Sequence, residues 1–338
     1  MNIFVTGATG FLGRYTVAEL LRRGHQVRAA VRSQSSVPAW QAQPQLQVVA
    51  VDLAQLESLA TALAGVDVVI HLAAAKTGDW QTQYASTVTA TKTLLQAMTE
   101  AQTRRLVAIS TFSVYDYLHL PAGATLDETT ALEPHPNRRD IYAQTKLEQE
   151  ARFREFGQTN SVTILRPGIV YGRDALWNAS LGAKKGNLWL QVGGQATLPL
   201  IYVENCAVAI ANAVEQEAAI GRILNLVDDN LPTQQAYVQQ ILTYLPTPPR
   251  QIHLSWPLLS TLADGAWQLN TSLGGRLKLP GLLIPARLHA RFKPLHYSNA
   301  QAKQILSWTP HYSLEAALVR SFGPDPLAAI LPAQISSS

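Results

Sequence analysis

The chain has a single cysteine, Cys206, among its 338 residues. That excludes an intramolecular disulfide framework, and one thiol without an obvious partner reads as core rather than as a nucleophile. There is no run of eighteen apolar residues, so no stretch reads as a membrane span. Charge is sparse as well: 15% of residues are charged and 47% are hydrophobic, a balance that argues against disorder and for a large core. The net charge is +4, but Lys and Arg are scattered without a basic run, so nucleic acid is not an expected partner. The eight His have no zinc-like spacing, and no metal is assigned. The first apolar strand begins at residue 2, which leaves no room for a signal or transit peptide, so the cytoplasm is expected. No internal repeat or low-complexity linker is visible.

What is present begins at once. Ile3, Phe4 and Val5 form a short buried-strand pattern, and Leu12, Val17, Leu20 and Leu21 recur at helical spacing until Gly24. Between them stand Gly7, Gly10 and Gly13. In a dinucleotide site the first makes the tight turn, the second lets the backbone approach the pyrophosphate, and the third lets the helix pack on the sheet. The helix N-terminus supplies free N–H groups and partial positive charge. Gly7, Thr9, Gly10, Phe11, Leu12 and Gly13 are the expected cofactor-binding residues of this stretch.

Further strands are expected at Gln26 to Val31, Gln47 to Val51, Val66 to Leu72 and Arg105 to Ser110, with helices between them, including a long one from about Gln83 to Glu100. This alternation predicts an α/β fold with a doubly wound parallel Rossmann sheet. The second strand ends without the acid that would hold the ribose 2′-OH of NAD. Arg32 follows it, with Ser33 next, and Arg32 suits the 2′-phosphate of NADP, so NADP is expected over NAD. Asp52, with Leu53 after it, either touches adenine or caps the next helix. His71 ends the fourth strand, and Leu72, Ala73 and Ala74 leave room for a cofactor where ligands sit in open parallel sheets.

The fifth strand runs into Ser110-Thr111-Phe-Ser113-Val-Tyr115, and the next helix carries Tyr142-Ala-Gln-Thr-Lys146. Positions four apart share a helix face, so the phenol and the ammonium point into one site. A free tyrosine, with a pKa of about 10, is a poor base near neutrality. A cation about 4 Å away contributes about 4 kcal/mol at an effective dielectric of about 20, enough to lower that pKa by roughly three units before desolvation opposes it.

These stretches, in this order, resemble an extended short-chain dehydrogenase/reductase of the NAD(P)-dependent epimerase/dehydratase and 3β-hydroxysteroid dehydrogenase type. They are Thr6-Gly-Ala-Thr-Gly-Phe-Leu-Gly13, Asp52-Leu53, His71-Leu-Ala-Ala74, Ser110-Thr111, Tyr142 to Lys146 and Leu165-Arg-Pro-Gly-Ile-Val-Tyr-Gly172. Lys303-Gln-Ile-Leu-Ser-Trp-Thr-Pro310 resembles the family's closing element, with Ser307 in place of glycine. The resemblance implies that Tyr142 is the general acid/base, that Lys146 holds the nicotinamide ribose and lowers the tyrosine pKa, and that Thr111 bonds the reacting oxygen. It places Pro167, Gly168, Ile169 and Val170 beside the nicotinamide. Thr87 stands where the family often has Asn, so a water relay through that position is in doubt. A homodimer through the helices at 83–100 and 141–156 is also implied.

The comparison with the family speaks about substrate as well. Ile169 replaces the Asn usual in nucleotide-sugar epimerases, and Thr197-Leu-Pro-Leu-Ile-Tyr-Val-Glu-Asn205 lacks their arginine. A pyrophosphate-bearing sugar would leave charges unmatched, which is costly. The expected activity is an NADP(H)-dependent oxidoreductase interconverting a secondary alcohol and a ketone on a largely apolar, cyclic small molecule. A nucleotide-sugar epimerase/dehydratase and a non-catalytic NADP-binding scaffold or sensor are the alternatives. Trp177, Leu188, Trp189, Trp256 and Trp267 either line a pocket or are ordinary core. The run 277–292 is a lid, a membrane-touching surface or two short packed helices. Residues 1–167 and 198–227 are expected to form the Rossmann domain, the latter adding a strand, a helix and a strand. Residues 168–197 and 228–330 then form a smaller C-terminal substrate lobe. Pro246-Thr-Pro-Pro249 reads as a rigid loop and 331–338 as a frayed tail.

Overall fold

The computed structural model describes residues 1–32, 43–185, 188–245 and 250–328. Ser33, the proline cluster 246–249 and the tail 331–338 lie outside the described residues.

Seven strands form the central sheet: β1 (Asn2–Thr6), β2 (Gln26–Val31), β3 (Leu46–Ala50), β4 (Val68–His71), β5 (Arg105–Ile109), β7 (Ser161–Pro167) and β12 (Ile223–Leu226). Their spatial order is β12-β7-β5-β4-β1-β2-β3, with every pairing parallel. The order reverses between β1 and β4, which opens a crevice at the strand C-termini there. Strand β1 is buried on both faces because helices cover both sides, as a parallel sheet requires. Side-chain alternation sends Ile3 and Val5 into one apolar layer with Val17 and Leu20, and Phe4 into the other with Leu94 and Phe153.

The helices connecting these strands are α1 (Phe11–Arg22), α2 (Leu56–Ala62), α3 (Trp80–Tyr84), α4 (Ala90–Glu100) and α5 (Ile141–Phe156). The long helix expected over 83–100 starts earlier and is not uniform: a π turn, Ala85–Thr89, joins α3 to α4. Asp140 caps α5 by accepting from the Ala143 N–H at 3.0 Å, which starts the helix just ahead of Tyr142.

Outside the central sheet the chain makes small parallel pairs: β8 (Ile169–Tyr171) with β11 (Leu200–Tyr202), and β6 (Thr125–Leu126) with β14 (His296–Tyr297). The first strand expected from 198–227 is therefore β11, and it joins β8 rather than the central sheet. Only β12 returns to the central sheet, after α6 (Val203–Glu215). A three-stranded sheet of β9 (Ala183–Lys185), β10 (Leu188–Val192) and β13 (Arg250–Leu254) lies in the later half. In chain order α7 (Gln234–Leu242) comes before β13, and α8 (Trp256–Ser272) and α9 (Pro285–Phe292) come after it. Within 277–292, a short 3-10 turn, Gly281–Leu283, and α9 pack on Val192 and Ala263 through Leu282, Leu283, Leu288 and Phe292. Of the expectations for that run, two short packed helices match this arrangement.

One buried ion pair ties the site-bearing helix to the sheet. Glu150 of α5 and Arg166 of β7 are each 1% exposed and meet through two bonds, of 3.0 and 2.6 Å. Arg166 also lies 4.6 Å from the Tyr115 ring centroid. Removing one member of such a pair strands a buried charge, so Arg166→Met should lower unfolding free energy by about 3 kcal/mol. Urea denaturation followed by circular dichroism measures this, with Glu150→Met/Arg166→Met expected to recover part of the loss.

Candidate active site

The turn from β1 into α1 is built on close backbone contact. Gly7 sits at φ +68°, in the left-handed region, and its carbonyl accepts from the Gly10 N–H at 3.0 Å. A Cβ on Gly13 would come within 2.1 Å of that same carbonyl oxygen. The N-terminus of α1 has no side-chain cap and no acid in its first turn. Uncapped N–H groups, a positive helix end and a bare glycine approach fit the pyrophosphate of a dinucleotide.

Arg32 lies immediately after β2, exposed, and makes no ion pair among the described residues. Asp52 accepts from the Ala54 N–H at 2.9 Å, closing an Asx turn ahead of α2, whose N-cap is Gln55. Leu72, Ala73 and Ala74 leave β4 half-buried, alongside Gly7. Pro167 ends β7, and Gly168, Ile169 and Val170 lead into β8, at the same end of the sheet.

The reactive side chains meet where β5 ends beside α5. Thr111 is extended, and its Oγ1 accepts from the Ser113 N–H at 3.2 Å, which fixes the hydroxyl in a short turn. The half-buried Tyr142 phenol lies close enough to the Thr111 side chain for that hydroxyl to favour its ionised form. Burial raises the Tyr142 pKa to about 12, with the Thr111 hydroxyl lowering it and Asp140 raising it. The expected lowering by Lys146 is absent. The buried Lys146 Nζ instead donates to the Ile109 carbonyl at 2.6 Å and to Gln149 Oε1. Burial pushes its ammonium down to about 7, Glu150 opposing and Lys76 adding like-charge repulsion. A lysine whose ammonium titrates near neutrality carries only part of its charge there, so desolvation of the phenol wins.

Behind Lys146 runs a chain of buried polar groups whose linkage the sequence did not point to. Gln149 Nε2 donates to Thr91 Oγ1 at 2.8 Å, and Thr91 donates to the Thr87 carbonyl at 2.6 Å. His71 bridges Thr91 and Thr6 through its two ring nitrogens, at 2.8 and 2.6 Å. Burial, with Lys146 adding to it, drops the His71 pKa to about 3, so the ring is neutral. Thr87 Oγ1 accepts from the Ala75 N–H at 3.0 Å, so this residue anchors the chain after β4. Glu150 sits one turn past Lys146 and accepts from Ser110 at 2.5 Å. Burial alone would raise its carboxyl, yet Arg166 and Ser110 hold it below its ordinary value. The signal for Glu150 was available: Tyr142, Lys146 and Glu150 repeat every four residues on one face. Gln149 and Lys76 carried no comparable signal. Lys76 makes no hydrogen bond or ion pair among the described residues, and burial lowers its pKa.

The family model described as NAD dependent epimerase/dehydratase matches residues 3–226. The chain belongs to that family. It is an extended short-chain dehydrogenase/reductase, a class that works with a nicotinamide dinucleotide. A 3-beta-hydroxysteroid dehydrogenase of Mycolicibacterium neoaurum is 32% identical, the match covering 94% of this chain and 89% of that one. A 2-alkyl-3-oxoalkanoate reductase of Stenotrophomonas maltophilia is 28% identical, over 95% of this chain and 98% of that one. The fold is shared with a UDP-glucuronic acid 4-epimerase of Bacillus cereus solved with NAD: TM-score 0.71 at 20% identity, covering 94% and 96% of the two chains.

Within this short-chain dehydrogenase/reductase, the aromatic residues of the later half do not form one cluster. Trp189 is buried in the main core, donates to the Leu181 carbonyl at 2.8 Å and stacks edge-on against Trp177. Trp256 belongs to the separate cluster around α8 and α9, and Trp267 lies under Arg138. Leu188 is exposed. Among the described residues there is no metal-binding cluster of His, Cys, Asp or Glu, and no helix is long and apolar enough to cross a membrane.

The contact at Gly13 gives a direct test of the cradle. Gly13→Ala should weaken dinucleotide binding at least about tenfold, equivalent to about 1.4 kcal/mol, in a titration of nicotinamide fluorescence. Circular dichroism should still report a folded chain.

Proposed function

We propose that this dehydrogenase/reductase interconverts a secondary alcohol and a ketone on a largely apolar small molecule, with NADP(H) as its preferred cofactor. The observation that carries the reading is the meeting of Thr111 and Tyr142 at the end of β5, with Lys146 one helical turn from Tyr142. In this reading the α1 N-terminus and the Gly7, Gly10 and Gly13 turn hold the pyrophosphate, with Thr9, Phe11 and Leu12. Leu72, Ala73, Ala74 and the segment Pro167 to Val170 flank the nicotinamide half, while Asp52 and Leu53 lie on the adenine side. The cofactor supplies or accepts a hydride when bound.

The chain's own residues manage the proton. Thr111 and Tyr142 hold the substrate oxygen between two hydroxyls. A phenol with a pKa near 12 is protonated across neutral pH, so Tyr142 stands ready to donate to a carbonyl oxygen as it gains negative charge. In the reverse direction it must first lose that proton. Lys146 is held by Ile109 and Gln149 at the depth where a ribose would meet it. Arg32 favours the 2′-phosphate of NADP, since no acid at the end of β2 stands ready for a 2′-OH.

The apolar-substrate reading draws support from the relatives named as hydroxysteroid dehydrogenase and alkyl-oxoalkanoate reductase. It also draws support from Ile169, which offers no hydrogen bond to a sugar. The homodimer through the helices at 83–100 and 141–156 is part of the same proposal.

Three outcomes are expected. Tyr142→Phe should cut turnover of cyclic secondary alcohols or their ketones by about 10²-fold or more, read by nicotinamide absorbance. Activity retained above about a tenth of wild type would defeat the acid/base role. Oxidation should accelerate at least about tenfold between roughly pH 7 and 10, because the deprotonated fraction of a group with a higher pKa grows with pH, while reduction should not. Arg32→Ala should weaken NADPH binding about tenfold and leave NADH binding unchanged, since it removes one charge-assisted contact. Equal preference for the two cofactors in both proteins would overturn the NADP reading.

A further inference from the structure

Helix α8 buries only part of its apolar surface. Ala263 is fully buried, and Trp256 and Leu259 pack on the same cluster around Phe292. Yet Leu258, Leu262, Leu269 and Leu273 are 57%, 55%, 58% and 50% exposed. At about 100° per residue these four leucines fall within about 60° of arc, so they form one stripe along the helix and into its C-cap. The helix's acid, Asp264, lies about 180° from Leu273 on the same count. The apolar edge continues through Leu277, 46% exposed, and through Ile252 of β13, also 46% exposed. Ile252 stands on the same strand face as Leu254, which packs against the α8 cluster.

Charge is concentrated in the same stretch. Between residues 250 and 293 there are six Lys and Arg and a single acid, Asp264, an excess larger than the whole chain's net charge of +4. Three of the six are committed inward. Arg287 bonds the Arg138 and Arg139 carbonyls, Arg291 reaches Asp140 at 3.8 Å, and Lys293 donates to three carbonyls from Tyr117 to Leu120. Arg250, Arg276 and Lys278 are exposed and make no ion pair among the described residues. Arg276 and Lys278 bracket Leu277 at the end of the leucine stripe.

We propose that this face is a lipid-docking surface on which α8 lies in the plane of an anionic membrane. An exposed leucine stripe ending in unpaired cations has the form of an interfacial helix, its apolar side entering the acyl boundary while its cations meet acidic headgroups. A second copy of this chain would bring the same cations and no acid on the stripe to meet them. The proposal concerns binding alone and stands apart from the reaction at Tyr142.

Co-sedimentation of the full chain with large vesicles tests it. Binding to phosphatidylcholine vesicles containing about 30% phosphatidylglycerol should exceed binding to phosphatidylcholine alone at least about tenfold, and should fall with added salt. Leu262→Gln/Leu269→Gln should lower partitioning about tenfold, because both side chains would lose their burial in the acyl boundary. Arg276→Gln/Lys278→Gln should lower it by roughly tenfold on anionic vesicles only. All four positions are exposed, so an unchanged thermal midpoint is expected in both double variants. No binding of the wild type to anionic vesicles, or binding that the leucine variant retains, would overturn the proposal. So would a two-copy mass in light scattering that the leucine variant converts to single copies, since that assigns the stripe to a second chain.

Discussion

The carboxylate of Glu150 is the point on which the site depends. It is buried, and three partners reach it from three directions: Arg166 from β7, Ser110 from the end of β5 and Arg154 from its own helix. A buried carboxylate is stable only if its oxygens are satisfied, so the requirement fixes the rotation of α5 against the sheet. Tyr142 and Lys146 lie on the same face of α5, two turns and one turn before Glu150. Their position over the β5 terminus follows from the anchoring of Glu150, whose bond to Ser110 also brings the neighbouring Thr111 to the same end of the helix.

A second layer of order comes from the polar chain through Gln149, Thr91, His71 and Thr6. It links α5, α4, β4 and β1, the elements around the crevice, by side chains alone. Because His71 stays neutral, the chain brings no additional charge close to Lys146, whose ammonium is already weakened by burial and by Lys76. The site thus keeps its phenol protonated and its lysine poorly solvated, held in geometry more than in field.

The sequence made the first half of this legible because the constraints there are local. Ile3 to Val5 followed by Gly7, Gly10 and Gly13 admit few conformations, and Tyr142 and Lys146 share a face in any helix. What escaped depended on tertiary pairing. The strand Leu200–Tyr202 has the same apolar character as a central strand, and only its register with Ile169–Tyr171 removes it from the sheet. Gln149 looks like any solvated glutamine until Lys146 turns toward it. The lowering of the tyrosine pKa was argued from charge alone, and the burial that reverses it cannot be read from spacing. In α8 the apolar arc is visible in sequence, but periodicity does not say how much of it a neighbour covers.

The π turn at Ala85–Thr89 has a consequence for how this helix tolerates length change. A π turn holds one residue more than the α-helical path it replaces, and such turns behave as single-residue insertions absorbed without breaking the helix. Deleting one residue there would leave α4 in place, with Thr91 still beneath His71. It would return the turn to α-helical spacing and leave α3 in its present phase, because the extra residue is taken up within the turn. Trp80 and Tyr84, whose tilted rings lie 5.6 Å apart, would keep the face they now occupy. The extra residue therefore costs the helix no phase: the turn takes it up, and the side chains on either side keep the faces they would have without it.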